Sequence, residues 1–142
     1  MKTRITFGII VMMFVLSIPA VAGGKGEIKK YFNDAVAKVK ATEDATEKRE
    51  ILNNSFENMF KAVNKIQSLG LVSKEESKGI DQFKTSLKEK QDELKGINGF
   101  ERVQDSQLNN FSNYVVQDME QASITISLVA ALLIIIIIIL IL

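Results

Sequence analysis

The groups in this chain that could do chemistry are few, and the most compact set is Glu43, Asp44 and Glu47, three carboxylates within about one helical turn. Carboxylates so spaced can hold a hard cation such as calcium or magnesium. Their surroundings argue for a plainer role. Asp44 and Lys48 stand at the i, i+4 spacing of an ordinary helix-surface ion pair, and no Asp-rich loop with a central glycine accompanies them. The 142 residues include no His and no Cys. This removes imidazole general bases, thiol nucleophiles, zinc sites, the Glu-x-x-His ligands of di-iron bundles and any disulfide framework. The expectation is a protein that is not an enzyme and that uses no cofactor and no metal.

Charge excludes a second class. The chain has 18 basic and 17 acidic residues, with the lysines interleaved among acids instead of clustered on one stretch. Nucleic-acid binding calls for a basic face that neutralises phosphates, and none is legible here. Asn53-Asn54-Ser55 and Asn110-Phe111-Ser112 match the glycosylation acceptor pattern, a match short enough to arise by chance.

The mean hydropathy of +0.11 averages two apolar ends and a charged middle. At the start, Lys2 and Arg4 precede an apolar run over residues 5–18, and Ser17 and Pro19 lead to Ala20-Val21-Ala22. That order is the signature of a secretory signal peptide over residues 1–22, cleaved after Ala22. At the other end, residues 122–142 carry no charge, and as a helix they would measure about 31 Å, one hydrocarbon thickness. The expectation is a C-terminal transmembrane helix ending the chain with no cytoplasmic domain. The chain would then be a single-pass membrane protein with its bulk on the exported, periplasmic or extracellular side. Exchange of the tail for a lipid anchor is disfavoured because the window before it contains Phe111 and Tyr114 rather than a small-residue triplet.

Between these ends the sequence calls for helices. Residues 23–26 are a flexible Gly-rich start, and residues 27–121 form an extracytoplasmic, coiled-coil-like domain. Apolar residues recur at Ile28, Phe32, Ala35 and Val39, and again at Leu52, Phe56, Met59, Val63 and Ile66, the spacing of a helical seam and not of a strand. One long helix through the polar stretch 41–50 is expected, ending where Gly70 and Leu71 suit a left-handed cap with a hydrophobic contact back onto the helix. Ser73 and Glu76 have capping-box spacing, which starts a second helix with Ile80, Phe83, Leu87 and Leu94 on its apolar face. Asn98 is the expected N-cap of a third helix carrying Phe100, Val103, Leu108, Phe111, Val115 and Met119. The fold class is therefore all-α: a small antiparallel helical bundle or hairpin outside the membrane, its third helix continuous with the transmembrane helix. Phe32, Phe56, Phe60, Phe83, Phe100 and Phe111 should dominate its core.

Two functional classes fit such a chain. The first is a membrane-anchored helical interaction or scaffold module without catalytic activity. Its partners would be the lipid bilayer and either another protein or further copies of itself. The candidate interaction face is Ile28, Phe32, Ala35 and Val39, because a short second helix cannot cover both seams of a long first one. A small-xxx-small stripe of Ser123, Ser127 and Ala131 is the candidate for transmembrane self-association. The alternative is a small-ligand sensor or binding bundle at the membrane surface that signals through a partner.

Overall fold

The computed structural model describes residues 24–141, and the expected signal peptide over residues 1–22 lies outside them. Every regular element among the described residues is helical: α1 (Gly24–Ala41), α2 (Ala45–Ser68), α3 (Lys74–Lys95), α4 (Leu108–Ala122) and α5 (Leu128–Ile141), with single 3-10 turns at Asp105–Gln107 and Ser123–Thr125.

The first correction falls in the polar stretch. The expected long helix is broken after Ala41, and a new one begins at Ala45. The hydroxyl of Thr42 donates to the Lys38 carbonyl (2.8 Å), and the Asp44 carboxylate accepts from the backbone N–H of Thr46 (3.1 Å). These short polar side chains hold local backbone groups that a continuous helix would use itself. With Asp44 extended as an N-cap, the chain folds α2 back along α1. Lys48, expected to pair with Asp44, instead donates to the side-chain oxygen of Asn109 (2.8 Å).

The next two boundaries follow the local chemistry. Gly70 closes α2 at φ 67°, with its N–H on the Gln67 carbonyl, although Leu71 stays exposed. Ser73 and Glu76 form the reciprocal capping box that opens α3. At its far end Gly96 adopts φ 71°, and a Cβ there would meet the backbone of Arg102. A left-handed conformation and a close backbone crossing both demand glycine at this position.

The third expected helix starts late. Asn98 is left-handed (φ 55°) and donates to the Asp92 carboxylate (2.9 Å), so it belongs to the turn and caps no helix. The chain stays irregular to Gln104, which leaves Phe100 exposed, and α4 begins only at Leu108. Arg49 pins this connection. Its guanidinium donates to the carbonyls of Leu94 (3.4 Å) and Val103 (2.5 Å) and to the Asp105 carboxylate (2.6 Å), and holds the Asp105 carboxyl below its ordinary range.

The largest correction is at the C-terminus. The uncharged tail is not one helix continuous with α4. It passes through the 3-10 turn, then through Ile126 in extended conformation (φ −95°, ψ 134°), and re-forms as α5 of 14 residues, about 21 Å long against the ~30 Å of a hydrocarbon core. No helix among the described residues is long and apolar enough to cross a membrane, which overturns the expected single-pass placement. The physical reason lies in Ser123-Ile124-Thr125-Ile126-Ser127, where β-branched residues alternate with hydroxyls. Ser123 donates to the Glu120 carbonyl (2.6 Å), and Thr125 donates to the carbonyls of Ala122 (2.9 Å) and Gly79 (2.9 Å). The segment thereby finds partners other than an uninterrupted helix.

The first four helices run alternately up and down. Lys29 at the start of α1 pairs with Glu120 at the end of α4, and Gln67 at the end of α2 meets Ser77 and Asp81 at the start of α3. In cross-section α1 and α3 each touch α2 and α4, and α5 lies lengthwise against α1 and α2. Phe32, Phe56, Phe83 and Phe111 are buried in the core with Met59, Leu87, Leu108 and Met119, and Phe60 is half-buried at its edge. Burying each such side chain contributes about 1.5–3 kcal/mol, the main term opposing chain entropy in a fold without cross-links.

Candidate functional site

The packing of α5 decides which faces remain open. Because α1 is packed by α2, α4 and α5 at once, its seam is closed: Ile28, Phe32, Ala35 and Val39 are all buried in the core. The three residues expected to form a span-to-span stripe are placed on three different local structures. Ser123 is buried in the 3-10 turn, Ser127 is half-buried just before α5, and Ala131 is buried on the inner side of α5. Their side chains are used within the fold and do not share one outward face. Of the three clustered carboxylates, Asp44 is spent on its cap, Glu43 is exposed and Glu47 is half-buried. Among the described residues no three potential ligands gather around a point that could hold a metal ion.

What stays open is the outer side of α5. This helix is apolar all round, and Ala130, Ala131, Ile134, Ile135 and Ile138 on its inner side are buried. Leu128, Val129, Leu132, Ile136 and Leu140 are 48, 61, 38, 52 and 77% exposed. At 100° per residue these five fall within one arc of about 120° and form a continuous strip, while Ile141, also exposed, lies off that arc at the end of the helix. Ridges at i, i+4 spacing, here Leu128, Leu132, Ile136 and Leu140, are what another helix packs against.

The foot of α5 is held by polar groups from α3. Ser127 donates to a carboxylate oxygen of Glu76 (2.5 Å), while its hydroxyl oxygen accepts from the N–H of Ala130 in the first turn of α5. Ser127 thus caps α5 and ties it to α3 through one hydroxyl. The Ser127 hydroxyl, together with the N–H and hydroxyl of Ser73, lowers the Glu76 carboxyl below its ordinary value. Beside this anchor, a Cβ on Gly79 would collide with the Thr125 carbonyl. Glycine here permits the tail to cross α3 at backbone distance.

The remaining polar groups serve the frame. Burial drives the Tyr31 phenol strongly upward while its hydroxyl donates to the Ser55 carbonyl (2.7 Å). Asp92, nearly buried, is held below its usual range by the Asn98 amide and the Lys88 ammonium. Burial would lower Lys90, but the Asp118 and Glu93 carboxylates outweigh it and raise its pKa. Every buried side-chain nitrogen and oxygen among the described residues has a partner. An open cleft of about 570 Å³ lies between α1 and α4, lined by Lys29, Gln117, Glu120, Gln121, Ser123 and Ile124. Its charged groups, Lys29 and Glu120, already neutralise each other at 3.2 Å.

Sequence reasoning missed the strip because it assigned the entire uncharged tail to lipid. The signal that locates it was present: hydroxyls at Ser123, Thr125 and Ser127, each able to interrupt a helix. No protein-family model, no curated protein and no solved structure matches this chain.

Proposed function

We propose that this protein is a helical interaction module that works without catalysis, and that its docking surface is the apolar strip of α5. The observation that carries this reading is the exposure of Leu128, Val129, Leu132, Ile136 and Leu140 on one arc of a helix whose opposite side packs into the bundle through Ala130, Ala131, Ile134, Ile135 and Ile138. A helix apolar on all sides is stable when covered on all sides, and α1 and α2 cover only one. The bundle behind it supplies a rigid platform, with α5 fixed at its foot by Ser127 and Thr125.

The test is a photo-activatable residue placed at position 136 of the full chain in the cells that make it, with position 50 as control. Glu50 is exposed on α2. A covalent adduct formed from position 136 and absent from position 50 is the expected result. No adduct from 136, or equal adducts from both positions, overturns the reading.

A further inference from the structure

The strip has a size and a chemistry, and both bear on what covers it. With the partly buried Leu133 and Ile139 beside it, it presents roughly 500 Å² of apolar surface, the size of patch that on a monomer is often functional. Two such faces together can remove about 1,000 Å² from water, the least area expected of a specific interface. We infer that a second copy of this chain covers the strip, α5 against α5, an inference that rests on the interaction-module reading above.

The chemistry favours a self-complementary occupant. From Leu128 to Ile141 the helix carries no charged or hydrogen-bonding side chain, so it can distinguish partners only by apolar shape. An isologous pair satisfies this without further specification, because the same ridge meets the same groove from both sides. Leu128, Leu132, Ile136 and Leu140, four residues apart, make the ridge that interdigitates with its own copy. Each α5 would then lie between the α1–α2 groove of its own bundle and the α5 of the other, covered on both sides as an all-apolar helix requires. Leu132 and Ile136, at the middle of the strip, lie near the two-fold axis whether the helices run parallel or antiparallel.

Sedimentation equilibrium of the purified full chain tests this directly. The expected result is a dimer, and the Leu132→Glu, Ile136→Glu double variant should weaken it on the order of 100-fold while its far-UV circular dichroism stays unchanged. If that variant fails to fold, cysteine substitution decides instead, since the chain has no cysteine of its own. Ile136→Cys should form a disulfide-linked dimer under mild oxidation, and Glu50→Cys should not. A monomeric wild-type chain, or a dimer indifferent to positions 132 and 136, overturns the inference. So does a monomer that binds phosphatidylcholine vesicles through the strip, which assigns the face to a lipid surface. A monomer whose position 136 still captures a different protein in cells overturns the second copy and leaves the interaction reading standing. A monomer with no adduct at all removes both.

Discussion

The hydroxyl of Ser127 and the carboxylate of Glu76 meet at 2.5 Å although 51 residues separate them. This bond joins two helix starts. The same carboxylate accepts from the Ser73 N–H in the capping box of α3, and the same hydroxyl accepts from the Ala130 N–H of α5. Losing the charge on Glu76 therefore weakens both starts together.

Acid should destabilise the fold for this reason. Glu76 and Asp92 both have carboxyls lowered from their ordinary values of 4.5 and 3.8. A depressed folded-state pKa means that the unfolded chain binds more protons over this interval. Their contributions are therefore complete above the ordinary values and are lost as pH falls through the folded ones. Thermal melts followed by circular dichroism should show a midpoint that drops as pH is lowered from about 5 to about 3. Glu76→Gln should have a lower midpoint at neutral pH and a shallower acid dependence. An unchanged slope in that variant would remove Glu76 from the account.

Gly79→Ala should destabilise, against the usual direction for glycine in a helix. Replacing a mid-helix glycine by alanine ordinarily gains about 1 kcal/mol. Here the added methyl meets the Thr125 carbonyl, and displacing the tail should cost about 1–3 kcal/mol. Urea denaturation gives the sign, and a net gain would show that the tail does not cross α3 at this point.

Arg49→Met should cost about 2 kcal/mol, because the carbonyls of Leu94 and Val103 lose their charged donor. Asp105→Asn should change stability little, since that carboxylate is largely exposed. Chemical denaturation of the two variants side by side separates pinning of the loop by hydrogen bonds to its backbone from a surface ion pair. Equal losses would reverse the assignment.

Phe56→Ala should cost on the order of 3 kcal/mol, since the ring is fully buried at the centre of α2. Phe100→Ala, at the turn where the ring is 38% exposed, should cost less, on the order of 1 kcal/mol. Six phenylalanines looked alike as core candidates in the sequence, and equilibrium unfolding of this pair checks how the fold divides them.

Helical class, the seam of Leu52, Phe56, Met59, Val63 and Ile66, the Gly70 end and the Ser73–Glu76 start were all legible from residue order, because each rests on contacts within a few positions of sequence. A capping box needs only its own four residues, and an apolar period of 3.6 needs only the helix that carries it. The tertiary structure decided the rest. An uncharged run of residues 122–142 is equally consistent with lipid and with a groove between two helices, since both present hydrocarbon. The choice depends on Gly79 admitting Thr125, on Glu76 receiving Ser127 and on an α1–α2 groove able to take Ala131, Ile134 and Ile138. Those partners lie tens of residues away. Once α5 fills the groove, the face of Ile28, Phe32, Ala35 and Val39 closes, and the strip of Leu128, Leu132, Ile136 and Leu140 is what remains open, because a helix apolar all round can bury only one side against a single groove.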